Sequence, residues 1–198
     1  MTGTEAYQQL MQKALAASQA DDVESALLLW SEACRCEPLS AIPHLLIGAE
    51  LAQCGRALEA ESAFASAILL QPSLNIARFQ LGLLQFTGGR VGVALLTWQP
   101  ILEADERDPL RLFVQGFALL AQNDLTAARY AFEEGIAHNT DNAPLNTDIR
   151  MVLAKMQESS ISGQASEAQP APSGVDAASP NSEEHILLAN YHQLGLPH

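Results

Sequence analysis

The sequence has few basic residues. Its 198 residues include 10 lysine and arginine residues against 23 aspartate and glutamate residues, which gives a formal net charge of −13. Such a surface repels the phosphate backbone of nucleic acids and the headgroups of anionic lipids. We therefore expect no nucleic-acid partner and no attachment to a membrane surface.

Long hydrophobic runs are also missing. No stretch approaches the roughly 20 consecutive apolar residues that a membrane-spanning helix requires, so we expect no membrane insertion. The opening residues, MTGTEAYQQLMQK, lack the basic start and apolar core of a signal peptide. A cytoplasmic location is the resulting expectation.

Cysteine is scarce, and its spacing does not predict a metal site. Cys34, Cys36 and Cys54 are too few and too unevenly placed for a disulfide framework. Structural zinc sites usually pair cysteines with two to four residues between them, and here there is one C-x-C with a single residue between and a lone cysteine. His185 and His192 would lie on one face of a helix expected near the C-terminal end of the sequence, but no further ligands accompany them. We expect structural thiols, no metal and no cofactor.

Enzyme motifs are absent as well. Gly88 and Gly89 lie in a turn, and no phosphate-loop pattern follows them. No nucleophile, base and orienting group occur in a pattern that would support catalysis. We therefore expect that the chain is not an enzyme.

Aromatic residues make up only 6% of the chain, whereas hydrophobic residues make up 48%, with leucine and alanine dominant. This composition favours an all-α protein, because sheets are enriched in β-branched and aromatic residues.

An internal repeat of 34 residues refines that expectation. Small residues let two helix backbones approach, and aromatic rings fill the space beside them, so their recurrence predicts packed helical hairpins. The recurring positions are Gly48, Gly82 and Gly116, with Ala14 one period earlier; Ala26, Ala60, Ala94 and Ala128; Trp30, Phe64, Trp98 and Phe132; and Pro38 and Pro72.

This order of small, small, aromatic and proline residues resembles the tetratricopeptide-repeat (TPR) family, whose unit is a 34-residue helix-turn-helix. The resemblance implies a right-handed superhelix of about four hairpins in a domain of residues 1–157. It says little about function, because this family shares an architecture and not a chemistry. The plain repeats and the composition look bacterial. The expected repeats span residues 7–40, 41–74, 75–108 and 109–142.

A further helix and a change of composition follow the repeats. Leu145, Ile149, Leu153 and Met156 fall on one helical face, which predicts a capping helix at 143–157. Residues 158–181 are rich in serine, alanine, proline and glycine, and we expect a disordered linker there.

Residues 182–198 contain a short apolar segment that we expect to form a docking helix. Ile186, Leu187, Tyr191 and Leu194 supply its apolar side chains. A helix this short is marginal in water and needs a surface to pack on. Two readings stay open: the segment packs on this protein's own repeats, or it docks on another protein, including another copy of this chain.

The first helices of TPR hairpins line a concave face. The resemblance implies that apolar residues at three recurring positions of this sequence lie on that face. Apolar rows of this kind suit an amphipathic helix or an extended apolar segment of a partner protein. The alternative is that these residues are core between helices, because periodicity alone cannot separate groove from core. The residues expected to bind the partner are Leu45, Phe79, Leu83, Phe113 and Phe117.

The function expected from this groove is that of a protein-interaction scaffold or chaperone-like adaptor. The lysine and arginine clamp with which some TPR co-chaperones hold acidic C-termini is not found in these rows, so recognition of such a terminus is not expected. The alternative is a structural subunit of a larger assembly, of a bacterial secretion or envelope type, in which the docking helix of one copy binds its neighbour.

Overall fold

The computed structural model describes residues 3–166, and these residues are helical with short connections. The predicted docking helix and most of the predicted linker lie outside the described residues. The elements are α1 (Gly3–Gln19), α2 (Val23–Cys36), α3 (Ala41–Gln53), α4 (Ala57–Leu70), α5 (Asn75–Thr87), α6 (Val91–Trp98), a 3₁₀ helix (Gln99–Glu103), α7 (Pro109–Ala121), α8 (Leu125–His138) and α9 (Ala143–Ser166).

The helices recur with a period of 34 residues. The second helix of each hairpin begins at Val23, Ala57, Val91 and Leu125, and the first helices α3, α5 and α7 begin at the same interval. α9 continues this register, since Ala143 follows Pro109 by one further period. The expected all-α architecture of stacked hairpins is confirmed.

The turns inside the hairpins also follow the repeat. One residue in each turn has a positive φ, which glycine adopts easily and aspartate or asparagine tolerate. These residues are again 34 apart: Asp21 (φ 57°), Gly55 (φ 70°), Gly89 (φ 76°) and Asn123 (φ 62°). In two of the turns the next residue, Asp22 or Asp124, caps the following helix by accepting a backbone hydrogen bond. The four turns therefore follow the same 34-residue register as the helices.

A glycine in each of three first helices packs directly against an aromatic ring of the second helix. A Cβ atom built on Gly48 would lie 2.6 Å from the Phe64 ring, and one on Gly116 would lie 2.5 Å from the Phe132 ring. Gly82 is equally close to the Trp98 indole. These rings are fully buried, so the missing side chains are what permit the helices to approach. The predicted pairing of small and aromatic residues is confirmed.

α9 closes the stack at its C-terminal end. Leu145, Ile149 and Met156 are buried against the preceding hairpin. The position that holds glycine in α3, α5 and α7 holds the exposed Arg150 in α9, so no aromatic ring of a further second helix fits there. This face of α9 is suited to solvent, as a cap requires.

Two helices differ from their expected lengths. α6 has only 8 residues, whereas α2, α4 and α8 each have 14, because Pro100 lacks the N–H that would continue the helix. The chain continues there as the 3₁₀ helix. α9 runs to Ser166 and not to the expected 157. No proline occurs between Pro144, at the start of α9, and Pro170, so the helical hydrogen-bond ladder can extend into the serine-rich sequence.

None of the helices described between residues 3 and 166 combines the length and the apolar character that a membrane span requires.

The glycine–aromatic contact predicts opposite effects on stability for alanine substitutions at two glycines, Gly82 and Gly92. Gly82→Ala places a methyl group inside the Trp98 ring and is expected to lower the free energy of unfolding by about 2 kcal/mol. Gly92→Ala meets nothing within 4 Å in the helix α6 and should raise it by about 0.5–1 kcal/mol. Urea unfolding of both variants measures the difference. Equal effects of the two substitutions would contradict the proposed role of Gly82.

Candidate functional site

The five side chains expected to line a concave groove are core side chains in the structure. Their exposed fractions lie between 0 and 3%, so none offers a surface to a ligand. This corrects the expectation that they contact a partner directly and agrees with the alternative that they pack between helices. The residues are Leu45, Phe79, Leu83, Phe113 and Phe117.

Aromatic packing between the third and fourth hairpins explains this burial. The ring of Phe117 has its centroid 5.3 Å from that of Trp98 and 5.0 Å from that of Phe132. Phe79 stacks on Trp98 at 5.9 Å. Phe113 enters the hairpin because Gly135 leaves room: a Cβ on Gly135 would lie 2.5 Å from the Phe113 ring. Such contacts favour ring–ring packing in the core over exposure in a groove.

The burial of Phe113 predicts a large loss of stability on truncation. Phe113→Ala removes a fully buried ring and is expected to cost about 3–5 kcal/mol of unfolding free energy. Leu69→Ala, at a residue that is 82% exposed, should change it by less than about 0.5 kcal/mol. Denaturant unfolding followed by circular dichroism compares the two. A Phe113→Ala protein as stable as the wild type would restore the groove interpretation.

An open groove lies instead on the fourth hairpin, between α7 and α8. Its volume is about 600 Å³. We call it the α7–α8 groove. Its walls are mostly apolar, and polar side chains stand at its rim. The lining residues are Leu112, Gln115, Leu119, Asp124, Thr126, Ala127, Tyr130, Ala131 and Glu134.

Helical spacing brings the walls of the groove together. Leu112, Gln115 and Leu119 follow one another at intervals of three and four residues, so they share one face of α7. Ala127 and Ala131 are four apart on α8, and their small side chains leave the space that the groove occupies.

Tyr130 and two carboxylates define the polar character of the groove. Tyr130 is 66% exposed, and its ring is available for contact with a ligand. Asp124 accepts a hydrogen bond from the backbone N–H of Ala127 at 3.0 Å, which fixes its carboxylate at the start of α8. Glu134 lies nearly three turns further along, with the Nε2 atom of His138 3.9 Å from its carboxylate. The lining contains no lysine or arginine, so the groove favours a cationic or neutral ligand.

Sequence reasoning did not identify this groove, although one signal was available. Leu28, Leu96 and Tyr130 occupy the same position in three repeats, and all three are exposed. A large apolar residue that recurs on an outward face is a better indication of a binding surface than one on a buried face.

The cysteines do not gather into a site. Cys34 is half-buried, and this burial raises the pKa of its thiol. Partial burial likewise raises the pKa of the Cys54 thiol, so both favour the protonated form over the thiolate that binds metals. Among residues 3–166, no three histidine, cysteine, aspartate or glutamate side chains are grouped so that they could hold a metal ion.

Comparisons with known proteins find similarity in structure. No family model matches the sequence, and no curated protein matches it. Residues 41 to the end of MamA from Desulfovibrio magneticus RS-1 superpose with a TM-score of 0.57 at 16% identity, over 83% of this chain and 98% of that one. A double mutant of MamA RS-1 gives a TM-score of 0.58 at 17% identity, over 82% of this chain and 89% of the other.

A further similar structure is YrrB, described as a TPR protein with an unusual peptide-binding site. Its TM-score is 0.53 at 18% identity, with 80% of this chain and 86% of YrrB covered. At such identities the likeness concerns the fold alone. Together with the 34-residue register of the helices and the glycine–aromatic contacts, it shows that the chain has the tetratricopeptide-repeat fold.

Proposed function

We propose that this chain is a protein-interaction scaffold that holds an apolar segment of a partner polypeptide in the α7–α8 groove. The observation that carries the proposal is the groove itself, a concavity of about 600 Å³ with leucine and alanine walls. This volume lies within the range of about 300–1,000 Å³ that is usual for ligand sites. Shielding an apolar segment in this way is the work of a chaperone-like adaptor.

The chemistry of the groove specifies the partner further. Leu112 and Leu119 bury an apolar anchor side chain, and Tyr130 can cover it with its ring while its hydroxyl stays in water. Asp124 and Glu134 then attract basic residues that flank the anchor. The net charge of −13 acts in the same direction at longer range. The partner segment is therefore apolar with flanking lysine or arginine.

The similarity to YrrB supports a peptide as the ligand class, since that structure is described as having a peptide-binding site. This support concerns the class of ligand alone. The residues proposed for the site are those of the α7–α8 groove.

Position 130 offers a direct test with a matched control. A benzophenone-bearing amino acid at position 130 should crosslink a partner in native lysate, and the same amino acid at position 28 should not. Leu28 holds the equivalent place in the first repeat and is 68% exposed, close to the 66% of Tyr130. With the crosslinked segment as a synthetic peptide, calorimetry should show that Tyr130→Asp weakens binding by about 2 kcal/mol, roughly 30-fold. Leu28→Asp should leave the affinity unchanged.

Both Tyr130 and Leu28 are exposed, so neither substitution should disturb the fold. The proposal fails if no polypeptide crosslinks at position 130, or if both positions capture the same set of proteins.

The carboxylates at the rim predict a salt-dependent affinity. Raising the salt concentration should weaken binding of the peptide, because ions screen the attraction between its basic residues and the groove. Glu134→Gln should reduce this salt dependence, whereas Glu133→Gln, at an exposed neighbour outside the lining, should not. Titrations at several salt concentrations measure the slope for each protein. A slope that is the same in Glu134→Gln and wild type would remove Glu134 from the site.

A further inference from the structure

A second apolar surface lies on the outward side of α4 and α6. Leu58 and Leu69 on α4 are each 82% exposed, and Leu96 and Val93 on α6 are 71% and 47% exposed. Leu58 and Leu69 are eleven residues apart, so they share one face of α4. We call these four residues the convex stripe. A single exposed leucine is ordinary, but four large apolar side chains on the second helices of two successive hairpins form a surface suited to docking.

The convex stripe is electrically neutral in a strongly acidic protein. α6 contains no charged residue, and α4 contains two, Glu59 and Glu61. The Arg56 guanidinium donates two hydrogen bonds of 2.8 Å to Glu59, and Arg90 forms an ion pair with Glu61. The second pair links Arg90, the residue before α6, to Glu61 of α4.

We propose that residues 182–198 of the same chain dock on the convex stripe. The segment contributes Ile186, Leu187, Tyr191 and Leu194 at helical spacing, and burial of these side chains against the stripe would remove both apolar surfaces from water.

Charge selects the convex stripe over the α7–α8 groove as the place where this segment docks. Residues 182–198 contain Glu183 and Glu184 and no lysine or arginine. The groove carries Asp124 and Glu134 at its rim and repels such a segment. The stripe, whose carboxylates are paired with arginines, imposes no such penalty. Docking on the stripe therefore does not depend on the groove's proposed function, and the groove stays accessible to a partner.

The length of the chain beyond α9 permits this docking. Residues 167–181 separate the end of α9 from the segment. A flexible chain of this length spans about 20 Å on average and at most about 50 Å when extended. A chain with this reach lets the segment return to the repeats from the end of α9. Tethering also gives the segment an effective concentration in the millimolar range, which favours its own stripe over that of a second copy.

Hydrogen exchange of the full chain tests the inference. Amides of residues 182–198 should be protected in the wild type. Leu58→Glu and Leu69→Glu should each lower this protection roughly tenfold, since burial of a leucine changes an equilibrium constant by about that factor. Leu39→Glu, at a residue that is 85% exposed in a loop, is the control and should leave the protection unchanged. All three residues are exposed, so the repeats should remain folded.

Three results would overturn the inference. The first is a wild-type segment without protection. The second is protection that is lost in Tyr130→Glu and kept in Leu58→Glu, which would place the segment in the α7–α8 groove. The third is protection that declines on roughly hundredfold dilution, which would make a second copy the occupant.

Discussion

The packing of the hairpins depends on the contact between a glycine of the first helix and an aromatic ring of the second helix, which occurs at Gly48, Gly82 and Gly116. At Gly82 the absence of a side chain lets the Trp98 indole come close enough for its Nε1–H to donate to the Phe79 carbonyl oxygen at 2.9 Å. In the first repeat the corresponding residues are Ala14 and Trp30, and the Trp30 Nε1 atom is buried with no hydrogen-bond partner among residues 3–166. A buried donor that is left without a partner costs about 1–3 kcal/mol.

The close approach of the two helices within each hairpin determines which of the remaining side chains are buried and which are exposed. Because the helices of the third and fourth hairpins are so near, the rings of Phe79, Phe113 and Phe117 fill the space between them and have no access to solvent. The surfaces left for other molecules are those that the core does not use. They are the α7–α8 groove, where Ala127 and Ala131 are too small to fill the gap, and the outward faces of α4 and α6.

This division explains what the sequence could and could not predict. Helix positions, turns and glycine–aromatic pairs follow from spacing along the chain, so a 34-residue period was sufficient to place them. Phe113 shows the limit, since a phenylalanine on a helical row can face a groove or a neighbouring helix, and the period is the same in both cases. The deciding residue was Gly135, where the first two repeats have Ala33 and Ala67. Pro100 was a readable signal for the early end of α6, because proline cannot continue a helical ladder.

The two surfaces differ in charge, and this difference allows both to be occupied at once. The rim of the α7–α8 groove carries two carboxylates and no lysine or arginine, so it favours a basic partner and discriminates against the chain's own acidic segment. Binding at the convex stripe is stabilised by apolar contact alone, because Arg56 and Arg90 neutralise the glutamates beside it. A tethered segment on the stripe would cover exposed leucines without competing for the groove. The arginines at the starts of α4 and α6 therefore have a role beyond stability: they keep one surface neutral in a protein that is otherwise strongly acidic.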